Sequence, residues 1–81
     1  LVSKLKNGTK VVGLRQTKKA VAANKTLCAF LASDADPDAT GAIAVLCQER
    51  DTPVEWVPSM KELGLSCGIT VGAAAAALLK E

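Results

Sequence analysis

Residues 69–80 run Ile69-Thr-Val-Gly-Ala-Ala-Ala-Ala-Ala-Leu-Leu-Lys80, ITVGAAAAALLK, and the architecture turns on how they fold. Five alanines in a row, Ala73 to Ala77, favour a helix by intrinsic propensity. What precedes them favours a strand. Lys10 to Gly13 is a short β-branched run, and a helix is expected from about Arg15 to Asn24. Leu27 to Ala32 is a continuous apolar run between Thr26 and the acidic SDADPD of residues 33–38, the pattern of a buried strand. Asp36 then offers an N-cap, Pro37 a first helical residue and Asp38 a first-turn acid. That helix should run to about Glu49 with Ala39, Ile43, Leu46 and Cys47 as its apolar stripe, weakened by Gly41 by about 1 kcal/mol against alanine. A third strand is expected at Val54 to Val57, stopped by Pro58. Ser59 and Glu62 form a capping-box pair that opens a short helix through Met60, Leu63 and Leu65. Strands alternating with helices make an α/β sandwich, in which a last strand is due and small residues suit burial on both faces. Local pattern by itself leaves the alanine segment open.

The chain of 81 residues is expected to form one domain, residues 1–81, with no internal repeat and no linker. Hydrophobic residues make up 49% of it and charged residues 22%, a globular balance that argues against disorder. The longest uncharged stretch, Leu63 to Leu79, is broken by Gly64, Ser66, Gly68, Thr70 and Gly72 and is too short to span a bilayer as a helix. No basic segment precedes an apolar run near Leu1, so neither a signal peptide nor a membrane partner is expected. The sequence has no His and no Tyr, which removes the commonest general base and the phenolic proton donor. Cys28, Cys47 and Cys67 stand 19 and 20 residues apart, without the close pairing that zinc sites use. Their odd number also suits no disulfide set. All three are expected as buried, reduced thiols of a cytoplasmic protein, with no metal and no cofactor.

The net charge of +2 conceals an asymmetry. Residues 1–33 hold Lys4, Lys6, Lys10, Arg15, Lys18, Lys19 and Lys25 with no acid, whereas residues 34–81 hold three cations against eight acids. One face is therefore expected to meet a polyanion. On a helix Arg15, Lys18 and Lys19 fall at i, i+3 and i+4 and share a face, while Leu14, Thr17, Ala20 and Val21 take the opposite one. Like charges at that spacing repel by about 0.2–0.5 kcal/mol per pair, and here they crowd the positive end of the helix dipole. A bound phosphate backbone reverses both penalties. Gly13, just ahead, removes a Cβ where another backbone could approach closely.

Two other motifs compete for attention. SDADPD begins like a calcium loop, but Ala39 stands at the sixth position where Gly is needed and Val45 at the twelfth where Glu is needed. It is read as a helix cap. Gly64, Gly68 and Gly72 recur every four residues, yet they lie in no membrane-length apolar span and are not followed by the Lys of a P-loop. They leave a tight turn presenting Ile69, Thr70 and Val71, whose apolar character suits an unstacked base. The same three residues could equally begin a buried strand.

GLRQTKKAV (residues 13–21), SDADP (33–37) and VPSMKELGLSCGITVGAAA (57–75), in this order, resemble the ribosomal protein L7Ae family of kink-turn RNA binders. The resemblance spans about Gly8 to Leu79 and is of the short, free-standing bacterial kind associated with ribosomes. It is most specific in the helix motif and in ELGLSCGITV, where the family shows a similar Leu-Gly-x-Ala-x-Gly-Ile-x-Val. It implies a three-layer α/β/α sandwich with a four-stranded mixed sheet, and a strand from about Val71 to Leu79 that takes in Ala73 to Ala77. The family binds kink-turns, sharply bent duplexes with tandem sheared G·A pairs and one extruded nucleotide. Its helix motif, Gly-x-Asn-Glu-x-x-Lys, falls on Gly13, Arg15, Gln16 and Lys19, with Leu14 at the open position. Arg15 stands where the family's Asn contacts the G·A guanines, and Gln16 where it has Glu; bacterial members similarly carry Lys-Gln there. Arg can donate two bonds to guanine O6 and N7, and Gln can donate or accept at a base edge. Lys19 is implied to meet phosphate or guanine, and Ile69, Thr70 and Val71 to cover the extruded nucleotide.

The partner so implied is structured RNA, whether a kink-turn of ribosomal RNA, of a riboswitch or of another RNA. The ribosome is a further implied partner, and the protein is expected to be a monomer. The alternative is a protein-interaction adaptor on the same fold, against which the retained cations Arg15 and Lys19 argue. An enzyme is not expected, since no metal cluster or nucleophile–base pair is visible in the sequence.

Overall fold

In the computed structural model, which describes residues 4–80, strands and helices alternate along the chain. The order is β1 (Lys10–Val12), α1 (Leu14–Ala22), β2 (Thr26–Ala32), α2 (Pro37–Glu49), β3 (Val54–Val57), α3 (Met60–Ser66) and β4 (Ala75–Leu79). Residues 1–3 and 81 of the expected domain lie outside the described residues.

Local side-chain chemistry starts two of the helices. The Asp36 carboxylate accepts the Asp38 N–H at 3.0 Å ahead of Pro37, and Ser59 Oγ accepts the Glu62 N–H at 3.1 Å. Asp34 adds a longer reach, its carboxylate accepting the Met60 N–H at 2.8 Å. The acidic run thus serves two helix starts, α2 through Asp36 and α3 through Asp34. The helices also end alike. In α1 the Asn24 N–H bonds the Val21 carbonyl and the Lys25 N–H the Ala20 carbonyl, both at 3.0 Å, with Asn24 at a left-handed φ of 57°. That turn ends α1 at Ala22, two residues short of the expected Asn24. Asp51, at φ 54°, and Gly68, at φ 82°, close α2 and α3 in the same pattern.

The sheet has the order β1-β4-β2-β3, with β2 and β3 parallel through the α2 crossover and β4 antiparallel to both β1 and β2. Alternation sends Cys28, Phe30 and Ala32 to one face, where they bury with Leu5, Val57, Leu63, Cys67, Ala76 and Leu78 beneath α3. Ala29, Leu31 and Ala75 go to the other face, against Val21 of α1 and Ile43 and Cys47 of α2. This is the expected three-layer α/β/α sandwich with a four-stranded mixed sheet. The apolar stripe of α2 shifts slightly from expectation: Thr40, Ile43 and Cys47 are buried, while Ala39 and Leu46 are half-buried.

The alanine segment is a strand over only part of its length. Ala75, Ala76 and Ala77 are fully buried in β4 between two partner strands, and α1 packs across them. Helix preference amounts to a few tenths of a kcal/mol per residue, less than two-sided burial with ladder bonds on both edges provides. The strand does not begin at Val71 or at Ala73, as expected, but at Ala75. The Ala73 N–H bonds the Met60 carbonyl at 3.0 Å, which ties this part of the chain to α3 before the sheet takes it. Among the described residues no helix is long and apolar enough to cross a membrane.

Candidate nucleic-acid interface

The turn from β1 into α1 sits on Gly13. Its φ of 108° and ψ of 156° lie in a region open essentially to glycine alone. An added Cβ would meet nothing within 4 Å, so the backbone angle and not crowding demands glycine here. The Gly13 N–H bonds the Ala75 carbonyl at 2.8 Å, and its carbonyl accepts the Thr17 N–H at 3.0 Å. The start of α1 is thereby fixed to the start of β4. No side chain caps this helix and no acid stands in its first turn, unlike α2 and α3.

From this anchored start α1 separates its side chains as its spacing requires. Thr17, Ala20 and Val21 are buried against the sheet, and Leu14 packs half-buried on the α1–α2 side of the core. Arg15, Gln16, Lys18 and Lys19 are exposed. Arg15 and Lys18 border a groove floored by Leu14, Ala39, Ala42 and Ile43, while Lys19 does not line it. The uncapped, basic first turn is an anion-accepting end in which the dipole and the side chains act with one sign.

The second motif arrives at the same edge from the other direction. Gly68 closes α3, with the Ile69 N–H on the Gly64 carbonyl at 3.1 Å. The chain then doubles back along α3, close enough that a Cβ on Gly64 would collide with the Val71 carbonyl. This fold-back divides the three loop residues. Ile69 is half-buried and packs on the core beneath α3, whereas Thr70 and Val71 are exposed, Val71 to 68%. Four residues after Val71 comes Ala75, the hydrogen-bond partner of Gly13. The helix motif and the loop, 50 residues apart in sequence, therefore both lead to the same end of β4.

Lys6, which no motif singled out, stands beside the turn that opens this loop, with Lys10 bonded to it. The Lys6 stem passes 3.8 Å from the place a Gly68 Cβ would occupy, and Lys10 Nζ donates to the Lys6 carbonyl at 3.2 Å. The only signal for them in the sequence is their membership of the acid-free first 33 residues. SDADPD takes no part, its Asp34 and Asp36 being engaged as helix caps. Cys28, Cys47 and Cys67 are buried, and burial pushes all three thiols above their ordinary pKa.

The close approach at Gly64 yields a stability prediction with an internal control. Gly64→Ala forces a methyl onto backbone and is expected to cost about 1–3 kcal/mol. Gly41→Ala, inside α2 where nothing lies within 4 Å of the new methyl, should instead stabilise by about 0.5–1 kcal/mol. Urea midpoints at constant m-value read both. A Gly64→Ala midpoint equal to that of the parent would mean that the loop is not held against α3.

A family model for the ribosomal protein L7Ae/L30e/S12e/Gadd45 family matches residues 1–81. An RNA-binding protein of Geobacillus sp. (strain WCH70) is 42% identical over 76 residues, covering 94% of this chain and 93% of that protein. An RNA-binding protein of Caldanaerobacter subterraneus subsp. tengcongensis is 43% identical over 68 residues, covering 84% and 83% of the two chains. Among solved structures, a Giardia lamblia 15.5kD RNA binding protein superimposes with a TM-score of 0.91 at 24% identity, over 99% of this chain and 71% of that one. A protein with unknown function from Bacillus halodurans gives 0.86 at 22% identity, over 98% and 83%. The two structures share the fold, and the family model and the close relatives carry the assignment: the chain belongs to the ribosomal protein L7Ae/L30e/S12e/Gadd45 family.

Proposed function

We propose that this protein binds RNA without catalysing a reaction on it, and that its target is the kink-turn. RNA binding is the common description of its close relatives. The observation that supports the finer reading is the Gly13–Ala75 hydrogen bond, which fixes the uncapped basic turn of α1 to the strand end into which the loop bearing Val71 leads. A bent RNA with paired guanines on one side of the bend and an extruded base on the other meets both elements at once; a straight duplex meets only the cations. A protein that contacts the bent conformer alone shifts the RNA toward it by that difference in affinity. In this reading Arg15 and Gln16 face the G·A pairs, Lys19 a phosphate, Gly13 and Leu14 the close backbone approach, and Thr70 and Val71 the extruded base. Ile69 supports the loop from beneath. The RNA is a kink-turn of ribosomal RNA or of a riboswitch, met by a cytoplasmic monomer that acts with the ribosome.

The test is a titration against a kink-turn and against the same RNA with both G·A pairs replaced. A preference of about 5- to 150-fold for the intact motif is expected, the equivalent of 1–3 kcal/mol of base discrimination. Equal affinity for the two would reduce the site to a basic patch.

A further inference from the structure

The opposite end of β4 carries a second basic surface that neither motif includes. There the Leu79 N–H bonds the Thr9 carbonyl at 2.8 Å and the Lys80 N–H bonds the Lys25 carbonyl at 2.9 Å. These bonds draw the starts of β1 and β2 together around a groove of about 530 Å³ lined by Lys4, Asn7, Thr9, Leu27, Leu79 and Lys80 among others. A register shift between Thr26 and Cys28 accompanies an unusual exposure of Leu27, 45% on an inner strand. The groove therefore has an apolar floor with lysines at its rim. Lys4 and Lys80 line it and are exposed, Lys25 stands exposed beside Lys80, whose N–H its carbonyl accepts, and among the described residues no acidic side chain lines the groove; Glu81, next in sequence, lies outside them.

We propose that this groove is a second RNA contact, taking a nucleotide of an RNA segment that lies outside the kink-turn. The proposal rests on the reading of the protein as an RNA binder. Lysines at the rim suit phosphates, Leu27 and Leu79 suit the flat face of an unstacked base, and Asn7 and Thr9 can hydrogen-bond a base edge or a ribose hydroxyl. An apolar partner peptide would leave the lysines unsatisfied, whereas a nucleotide uses both kinds of wall. The groove also lies away from the Gly13 anchor of the first site. Four steps along β4, at about 3.4 Å each, put it about 14 Å from the Ala75 end, beyond the screening length of about 8 Å at physiological salt. A long RNA held at Gly13 and Val71 can thus be gripped again at the other pole.

The experiment uses labelled short polyuridine, which forms no kink-turn, with the whole chain either free or saturated with kink-turn RNA. Polyuridine is expected to bind both forms. The Lys4→Ala/Lys25→Ala/Lys80→Ala variant should lose about two units of the log–log salt slope for polyuridine, roughly 0.7 for each lysine, and keep its kink-turn affinity. Leu27→Ser should weaken polyuridine binding with the slope unchanged. Polyuridine binding that survives the triple variant and disappears with Arg15→Ala/Lys19→Ala overturns the proposal. Polyglutamate binding as tightly as polyuridine also overturns it, assigning the groove to acidic protein segments. Loss of kink-turn preference in the parent protein concerns only the first site, because the comparison of variants on polyuridine with the free protein stands without it.

Discussion

Phe30→Ala is expected to remove about 3–5 kcal/mol of stability, read as a fall in the urea midpoint at constant m-value. Phe30 is fully buried on β2, with Ala76 of β4 opposite it on one side and Glu55 of β3 on the other. The cost belongs to the upper part of the usual range because of what surrounds the ring. Its cluster includes Ala32, Ala35, Ala73 and Ala76, whose methyl groups have no length with which to follow a retreating side chain. An alanine strand lets α1 pack across β4, and the volume it fails to supply on the α3 face has to come from Phe30, Leu5 and Leu63. Truncating the largest of these leaves a cavity that cannot collapse. A chain of 81 residues has a total stability of about 4–12 kcal/mol at ordinary values per residue, so this one change should remove at least about a quarter of it. A loss below about 1 kcal/mol would show that the α3 face is not the principal core.

The features that could be read from the sequence are those whose partners lie within a few residues. Asp36 with Pro37 and Ser59 with Glu62 write the starts of α2 and α3 locally, and the structure forms both. Arg15, Lys18 and Lys19 share an exposed face because helical spacing alone puts them there. The alanine segment could not be read in this way. Its strand depends on neighbours on both sides; the strand–helix alternation favoured it without deciding it, and the family resemblance implied it. Its first residue depends on a bond from Ala73 to Met60, a partner 13 positions away that no periodicity reveals. Ile69 and Val71 looked equivalent as loop residues, yet the turn that closes α3 directs one inward and the other outward. For Lys6 beside Gly68, and for Lys4 and Lys80 around one groove, residues distant in sequence must first be brought together by the fold; charge count gave the sign of the surface but not which residues the lysines would stand beside.

Arg15→Ala should weaken binding to a kink-turn by about 1–3 kcal/mol, or about 5- to 150-fold, and binding to a plain duplex much less. The difference comes from geometry more than from charge. Arg15 extends from an anchored first turn, and its guanidinium can present two parallel donors to a guanine edge, a pairing absent where only phosphates are offered. Arg15→Lys keeps the charge and loses the fork, so it should retain the salt dependence and lose less of the preference than Arg15→Ala, in keeping with the Lys that bacterial members of the family carry there. Lys19 is a point charge one turn further on, outside the groove that Arg15 and Lys18 border. Lys19→Ala should therefore weaken both RNAs together and lower the salt slope by about one unit or somewhat less. Val71→Ala gives a third signature, weaker binding to the kink-turn with no change of slope, because an apolar contact with an extruded base releases no counterions. Val71 is the cleaner probe of the loop, since Ile69→Ala would also take a side chain from the core. Affinities measured at several salt concentrations, for each variant on both RNAs, separate the three roles. Were Arg15→Ala to weaken kink-turn and duplex by the same factor, α1 would be reading charge alone, and the specificity would have to reside in the loop.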